Sequence, residues 1–218
     1  MNIQSLQNNN SKQYFQAREH KKVKMVLDGV ERKFKIYQIE HNDRDFIQKM
    51  NESIHLPTNI SPKERDEWHE TILQGTFYHD YFSKGSNSFL LVTDKNKPCG
   101  VVQISDSEFG TPHQLANIAT WPINGKKIKK AGTILMKSIM EDFHSEHYVI
   151  YPRLETPGQV TKFYEKFGAK TANSDAEMMV IPKDELTKKS KELSSYIKTK
   201  RTETPKHVDL SHILDLNI

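Results

Sequence analysis

Hydrophobic and polar positions alternate at a period of two over several stretches of this chain, and each such stretch predicts a strand. Val23, Met25 and Leu27 alternate with polar residues; Asp28-Gly29 follows, and then come Phe34, Ile36, Tyr37 and Ile39. An Asp-Gly pair readily takes the positive φ angles of a tight turn, so this segment predicts a β-hairpin, its second strand running over about 33–39. Residues 88–93, 99–105 and 114–121 are β-prone runs separated by turns, which predicts three consecutive antiparallel strands. The pattern becomes helical over 131–143, returns to a strand at 147–151, and is helical again up to Gly168. A helix between the strands 114–121 and 147–151 makes them a parallel pair joined by a right-handed crossover. Residues 169–172 and 176–181 predict a last hairpin, ended by Pro182.

The remaining segments are less regular. Two helices are expected between the first hairpin and residue 75. One is capped by Asn42 or Asp43 and stopped at Leu56-Pro57; the other is opened by Ser61-Pro62 with Glu64 and closed by Gly75. Phe77, Tyr78, His79, Tyr81 and Phe82 form an aromatic cluster that packs around a loop or lines a pocket. Residues 183–200 read as a polar helix with Leu186, Leu193 and Ile197 on a narrow stripe, and 207–216 as a short amphipathic segment. Residues 1–20 are rich in Asn, Gln and Ser. They read as a frayed terminus or as the unfolded export signal that bacterial effectors carry. The expected organisation is therefore a flexible polar arm (1–20), one domain (21–184) and a basic helical extension (185–218).

Composition narrows the class. A mean hydropathy of −0.73 with 35% hydrophobic residues demands an economical core. No run reaches the roughly 18–20 apolar residues of a membrane helix. The single cysteine, Cys99, excludes an intramolecular disulfide and fits a reducing compartment. Read on its own, Cys99 at a strand start is an inert buried thiol rather than a nucleophile. Ten histidines show no metal-ligand spacing, so no metal is expected. The net charge of +4 is local: Lys126, Lys127, Lys129 and Lys130 form one cluster, and Lys188, Lys189, Lys191, Lys198, Lys200 and Arg201 another. No zinc-finger or aromatic-basic RNA signature accompanies them, and the second cluster reads as a solvated helix face. The first cluster lies between a strand and a helix. A helix start carries unpaired N–H groups and a partial positive charge, which makes this a place to hold phosphates.

Two motifs resemble the GNAT (Gcn5-related N-acetyltransferase) superfamily. Its pyrophosphate signature, Arg/Gln-x-x-Gly-x-Gly/Ala, corresponds here to Lys127-Ile128-Lys129-Lys130-Ala131-Gly132, followed by Thr133. Its later helix ends in Phe-Tyr-x-x-x-Gly, matched by Phe163-Tyr164-Glu165-Lys166-Phe167-Gly168. Thr120-Trp121-Pro122 is similar to the Val-x-Pro that closes a central strand in many members. The chain departs in four ways: Lys127 replaces the Arg or Gln, Lys130 replaces the first glycine, two extra residues stand between Pro122 and Lys127, and Pro157 replaces the Asn that opens the later helix. The resemblance covers residues 85–182 well and 33–84 only by order of elements. It implies an α+β or α/β fold with a mixed, splayed sheet of about six to seven strands flanked by helices.

The resemblance further implies acetyl-CoA, or another acyl-CoA, between the strands 114–121 and 147–151. Lys127, Lys129, Lys130, Ala131, Gly132 and Thr133 would meet the pyrophosphate. Ala119, Thr120 and Trp121 would offer backbone groups to the pantetheine arm. Tyr164 would donate a proton to the departing thiolate. A base must also accept the proton of the attacking amine; Glu108 is the first candidate, with His113, Glu155 and a water chain as alternatives. The implied function is acetyl transfer to an amine, with a protein or peptide amine placed ahead of a small one. The alternative is a catalytically silent module of the same fold that engages a partner protein through residues 185–218. No membrane partner and no nucleic acid are expected. The expected location is the cytoplasm, with export into a host cell as the effector alternative.

Overall fold

The Asp-Gly turn forms as the pattern predicts. Asp28 (φ 52°) and Gly29 (φ 75°) both take positive φ, and they join β1 (Gln16–Leu27) to β2 (Val30–Ile39) with Leu27 opposite Val30. A computed structural model of the chain describes residues 16–39, 61–62, 86–105, 113–143, 147–150, 157–172 and 178–209. The helices expected between 42 and 75 (Ser61 and Pro62 apart) and the aromatic cluster at 77–82 lie outside those residues.

The three expected antiparallel strands are β3 (Ser86–Thr93), β4 (Pro98–Ser105) and β5 (His113–Thr120). Helix α1 (Ala131–Asp142) then crosses to β6 (Tyr148–Ile150), which is parallel to β5. Helix α2 (Pro157–Glu165) follows, and the last predicted hairpin is β7 (Lys170–Thr171) with β8 (Met179–Ile181). Helix α3 (Lys183–Leu193) leads to β9 (Ile197–Arg201) and β10 (His207–Asp209). Among the described residues the sheet has ten strands in the order β10-β1-β2-β3-β4-β5-β6-β8-β7, with β9 also on β1. The mixed, helix-flanked sheet is as expected.

Three boundaries differ from the sequence reading. The arm expected over 1–20 is strand from Gln16 onward, because Gln16, Ala17 and Arg18 pair with β10. The helix expected to run to residue 200 ends at Leu193. Ile197 does not continue its stripe but opens β9, which pairs with β1 from Lys21 to Met25. Residues 185–209 are thus part of the same sheet rather than an appendage, and they carry the strand count past six or seven. Local periodicity misses this because the partner strand lies at the other end of the chain.

Among the described residues, the main core cluster lies between one face of the sheet and helices α1, α2 and α3, while Tyr37, Leu90 and Val92 are buried on the other face. Val23, Met25, Phe34, Ile36, Phe89, Leu91, Val102 and Ile104 meet Ile134, Leu135, Ile139, Tyr164, Phe167 and Leu186 there. Gly100 is the point of closest approach. A Cβ on it would lie 3.0 Å from Ala119 O, Leu135 Cδ1 and Thr120 Cγ2 alike, so the missing side chain lets α1 settle on β4 and β5. Cys99 is fully buried, its Sγ 3.6 Å from Leu91 O, and burial pushes its thiol pKa far up. It is inert, as expected.

The far end of α1 is fastened by charge. A bulge in β1 between Glu19 and Lys21 turns both His20 and Lys21 toward the helix. His20 Nε2 lies 2.7 Å from Asp142 Oδ2. Lys21 Nζ reaches Ser138 O at 2.9 Å, Asp142 Oδ2 at 2.9 Å and Glu141 Oε2 at 3.1 Å. Lys137 and Thr199 of β9 also bond Glu141. Burial alone would raise the pKa values of Glu141 and Asp142. Hydrogen bonds from Lys137, Thr199 and His20, with the charge of Lys21, outweigh it and hold both carboxyls below their ordinary values.

Depressed carboxyl pKa values contribute stability that is present above the unfolded value of about 4 and is lost as pH falls through the folded values. Urea melts across acid pH should therefore show stability falling steeply below about pH 4. Lys21→Met should cost about 3–5 kcal/mol at neutral pH by leaving buried carboxylates uncompensated, and it should flatten that acid dependence. A wild-type protein whose urea midpoint is unchanged between neutral and acid pH would count against this cluster as a fastening.

Candidate functional site

The site is built where β5 loses a neighbour. β5 carries a bulge: Gln103 stands opposite Asn117 and Ile104 opposite Leu115, which leaves Ala116 as the extra residue. Before the bulge, His113, Gln114 and Leu115 pair with β6. After it, among the described residues, β5 is paired with β4 alone. One bond fixes the phase of this last part, from Trp121 N–H to Cys99 O at 3.2 Å. Antiparallel partners alternate between bonded and non-bonded pairs. Trp121 and Ala119 therefore direct their backbone groups at β4, while Thr120 and Ile118 direct theirs away, toward the open side. Of the three residues expected to serve a pantetheine arm, Thr120 has backbone groups free of β4. Ile118 joins it, a residue that sequence reasoning missed because hydrogen-bond phase has no local signature. Trp121 is structural, with its indole N–H donating to Pro98 O at 2.8 Å.

The basic loop after β5 is folded. Asn124 (φ 49°) and Gly125 (φ 71°) form a second two-residue turn, closed by Ile123 and Lys126, which exchange N–H···O bonds at 3.0 Å both ways. This compact turn lies within the stretch, between Pro122 and Lys127, that carries the two extra residues. The chain then enters α1 through Lys130, the N-cap, at φ 67°. This is the left-handed region, where glycine is favoured. Lys130 thus keeps the backbone conformation for which a glycine is suited, and its side chain is exposed. No side chain caps the helix at Lys130, so the N–H groups of Gly132 and Thr133 keep the outward direction that helix geometry gives them.

The motif residues converge on this helix start. A Cβ on Gly132 would lie 3.2 Å from two atoms of the Phe163 ring and 3.9 Å from Thr120 Cγ2. The end of β5, the start of α1 and helix α2 are thus in contact at one point. Phe163 packs edge-on against Tyr164 and Phe167. Gly168 (φ 85°) ends the turn after α2, with Ala169 N–H bonding Tyr164 O at 3.2 Å. The Phe-Tyr-x-x-x-Gly run is therefore a packed helix end that holds Tyr164 in place. Burial pushes the Tyr164 phenol pKa well above its ordinary value, so it keeps its proton at neutral pH.

The electrostatics favour an anion at the loop. Lys126, Lys127, Lys129 and Lys130 are all exposed, and Lys129 Nζ lies 3.8 Å from Asp28 Oδ2 of the β1–β2 turn. A cleft of about 370 Å³ adjoins the loop, with Ile123, Ile128 and Phe34 against Arg32, Lys33 and Lys97. Glu108 and Glu155 lie outside the described residues. His113 is buried at the opposite end of β5 from Thr120, its ring edge-on to Phe143 and Tyr148; it belongs to the core rather than to the loop end of β5. Among the described residues, no group of three or more His, Cys, Asp or Glu side chains is placed to hold a metal ion, and no helix is long and apolar enough to cross a membrane.

Lys130→Gly should relieve left-handed strain and raise stability by about 1 kcal/mol in urea melts. Lys130→Ala, which keeps the strain and removes the charge, should bring no gain.

No protein-family model matches the chain, and no curated protein does. Among solved structures, the chain is similar to apo FdhC, a nucleotide-linked sugar GNAT, at 20% identity and TM-score 0.48, over 75% of this chain and 94% of that one. It is also similar to the spermidine/spermine N-acetyltransferase SpeG from Vibrio cholerae in complex with manganese ions, at 14% identity and TM-score 0.46, over 72% of this chain and 96% of that one.

Proposed function

We propose that this protein is an acyl-CoA-dependent N-acetyltransferase that moves an acetyl group from acetyl-CoA to an amine. The observation that carries the reading is the contact of Thr120, Gly132 and Phe163 beside the half of β5 that, among the described residues, pairs with β4 alone. A strand with free backbone groups leads to a helix start with free N–H groups, and a glycine leaves room where they meet. An extended amide-bearing arm ending in a pyrophosphate fits that sequence of groups. Lys127, Lys129 and Lys130 add charge, and Ala131, Gly132 and Thr133 line the helix start. Bound acetyl-CoA supplies an acyl group activated as a thioester.

The chain's own residues divide the work. Ile118 and Thr120 orient the arm through their backbones. Tyr164 holds a proton on its hydroxyl and donates it, or a hydrogen bond, to the sulfur as charge develops there. The proton released by the amine goes to Glu108 or to water. A protein or peptide amine is the preferred acceptor, in the cytoplasm or in a host cell after export. The alternative, a silent module that engages a partner protein, retains cofactor affinity without turnover.

Acetyl-CoA at about 100 times its Kd should stabilise the fold by about 2.7 kcal/mol, a rise in Tm of about 5–10 °C for a chain of this size. Absence of any shift at millimolar cofactor overturns the reading. On an amine or peptide panel, Tyr164→Phe should lower kcat by about 10²-fold with KM for acetyl-CoA unchanged. Cofactor binding without turnover by either form selects the silent module.

A further inference from the structure

Residues far apart in sequence build a lysine lattice on the face of the sheet away from α1. Val23, Met25, Phe34, Ile36 and Ile197 point into the core, so the residues between them point to the other face. Lys24 stands opposite both Lys33 and Lys198, and Lys22 opposite both Lys35 and Lys200. Two rows of three lysines result, with strands about 4.8 Å apart and rows about 6.7 Å apart. All but the half-buried Lys35 are exposed, Lys22 and Lys33 with 64% and 60% of their side-chain surface open. Like charges directly opposite one another across strands are destabilising, and this face has four such pairs.

The carboxylates present do not neutralise it. Glu19 lies 3.5 Å from Lys22 and 3.8 Å from Lys35, and Glu31 lies 3.7 Å from Lys33. Among the described residues, Lys24, Lys198 and Lys200 have no carboxylate within 4.0 Å. Six lysines against two carboxylates leave an excess equal to the +4 of the whole chain. The rows end at the β1–β2 turn, where Val26, on this same face, is 49% exposed; Val30, 55% exposed, stands opposite Leu27 and belongs to the other face.

We propose that this face docks on the surface of an anionic lipid bilayer. The lysine rows would meet the headgroups, and Val26, beside the β1–β2 turn, would lie at the interface. A flat lattice of flexible cations matches a flat anionic surface. A nucleic acid would leave Val26 without a role; the strands offer it no arginine on this face, and Tyr37, the aromatic ring there, is buried and closed to stacking. The sequence reading expects no membrane partner because lysines 22–35 and 198–200 come together only through β1–β9 pairing.

The test is co-sedimentation of the full chain with vesicles of phosphatidylcholine, with and without about 30% phosphatidylserine. The protein should bind the anionic vesicles only, and binding should fall as salt shortens the screening length. Lys22→Ala with Lys200→Ala should weaken binding about 25-fold, at about five-fold per lysine, with Tm unchanged or higher. Val26→Ser should weaken binding without changing its salt dependence. Equal binding to neutral vesicles, or no binding to anionic ones, overturns the proposal. So does capture of a 20-mer oligonucleotide, about 20 phosphates long, by a protein that leaves the vesicles in solution.

Discussion

Everything in this molecule depends on how closely α1 lies against the sheet. Gly100 sets the distance at one end, where any side chain would strike Leu135, Thr120 and the backbone of Ala119. His20 and Lys21 set it at the other, gripping Asp142, Glu141 and the carbonyl of Ser138. Tyr148 adds a third tie, its hydroxyl donating to Ile139 O at 2.6 Å. A helix of 12 residues held along its length cannot tilt or slide. Its N-terminus, with the partial positive charge found there, is therefore aimed at one place, the end of β5.

The same constraint explains why the helix start can be crowded. Gly132 sits against the Phe163 ring and next to Thr120, so a motif in α2 and a loop before α1 become neighbours. The strained Lys130 is tolerated because the core on either side holds the chain in place. Its left-handed backbone brings the chain from the Asn124-Gly125 turn into the helix, which the exposed side chain does not obstruct.

Strand β1 has a comparable role on the other side of the molecule. It pairs with β2 along one edge and with both β9 and β10 along the other. Its bulge sends His20 and Lys21 inward to α1 while its regular half sends lysines outward. One strand therefore fastens the helix and builds the basic face.

By itself the sequence determined the local elements: the two-residue turn at Asp28-Gly29, the strands β3 to β5, the helix α1 and the closing hairpin. Each rests on contacts between residues near one another in the chain, so period and turn chemistry reveal it. The sequence also marked Gly132, Phe163, Tyr164 and Gly168 as motif residues, because a glycine-bearing helix start and an aromatic helix end are local patterns. Only the tertiary structure decided that Thr120 and Ile118, rather than Ala119 and Trp121, turn their backbones away from β4. The reason is that a single inter-strand bond, from Trp121 to Cys99, sets the phase. Only the tertiary structure placed Ile197 in a strand, since the free edge that recruits it belongs to residues at the far end of the chain. The buried ion cluster was hidden for the same reason. Its charges lie on β1 and α1, and their partnership exists only once the helix is packed on the sheet.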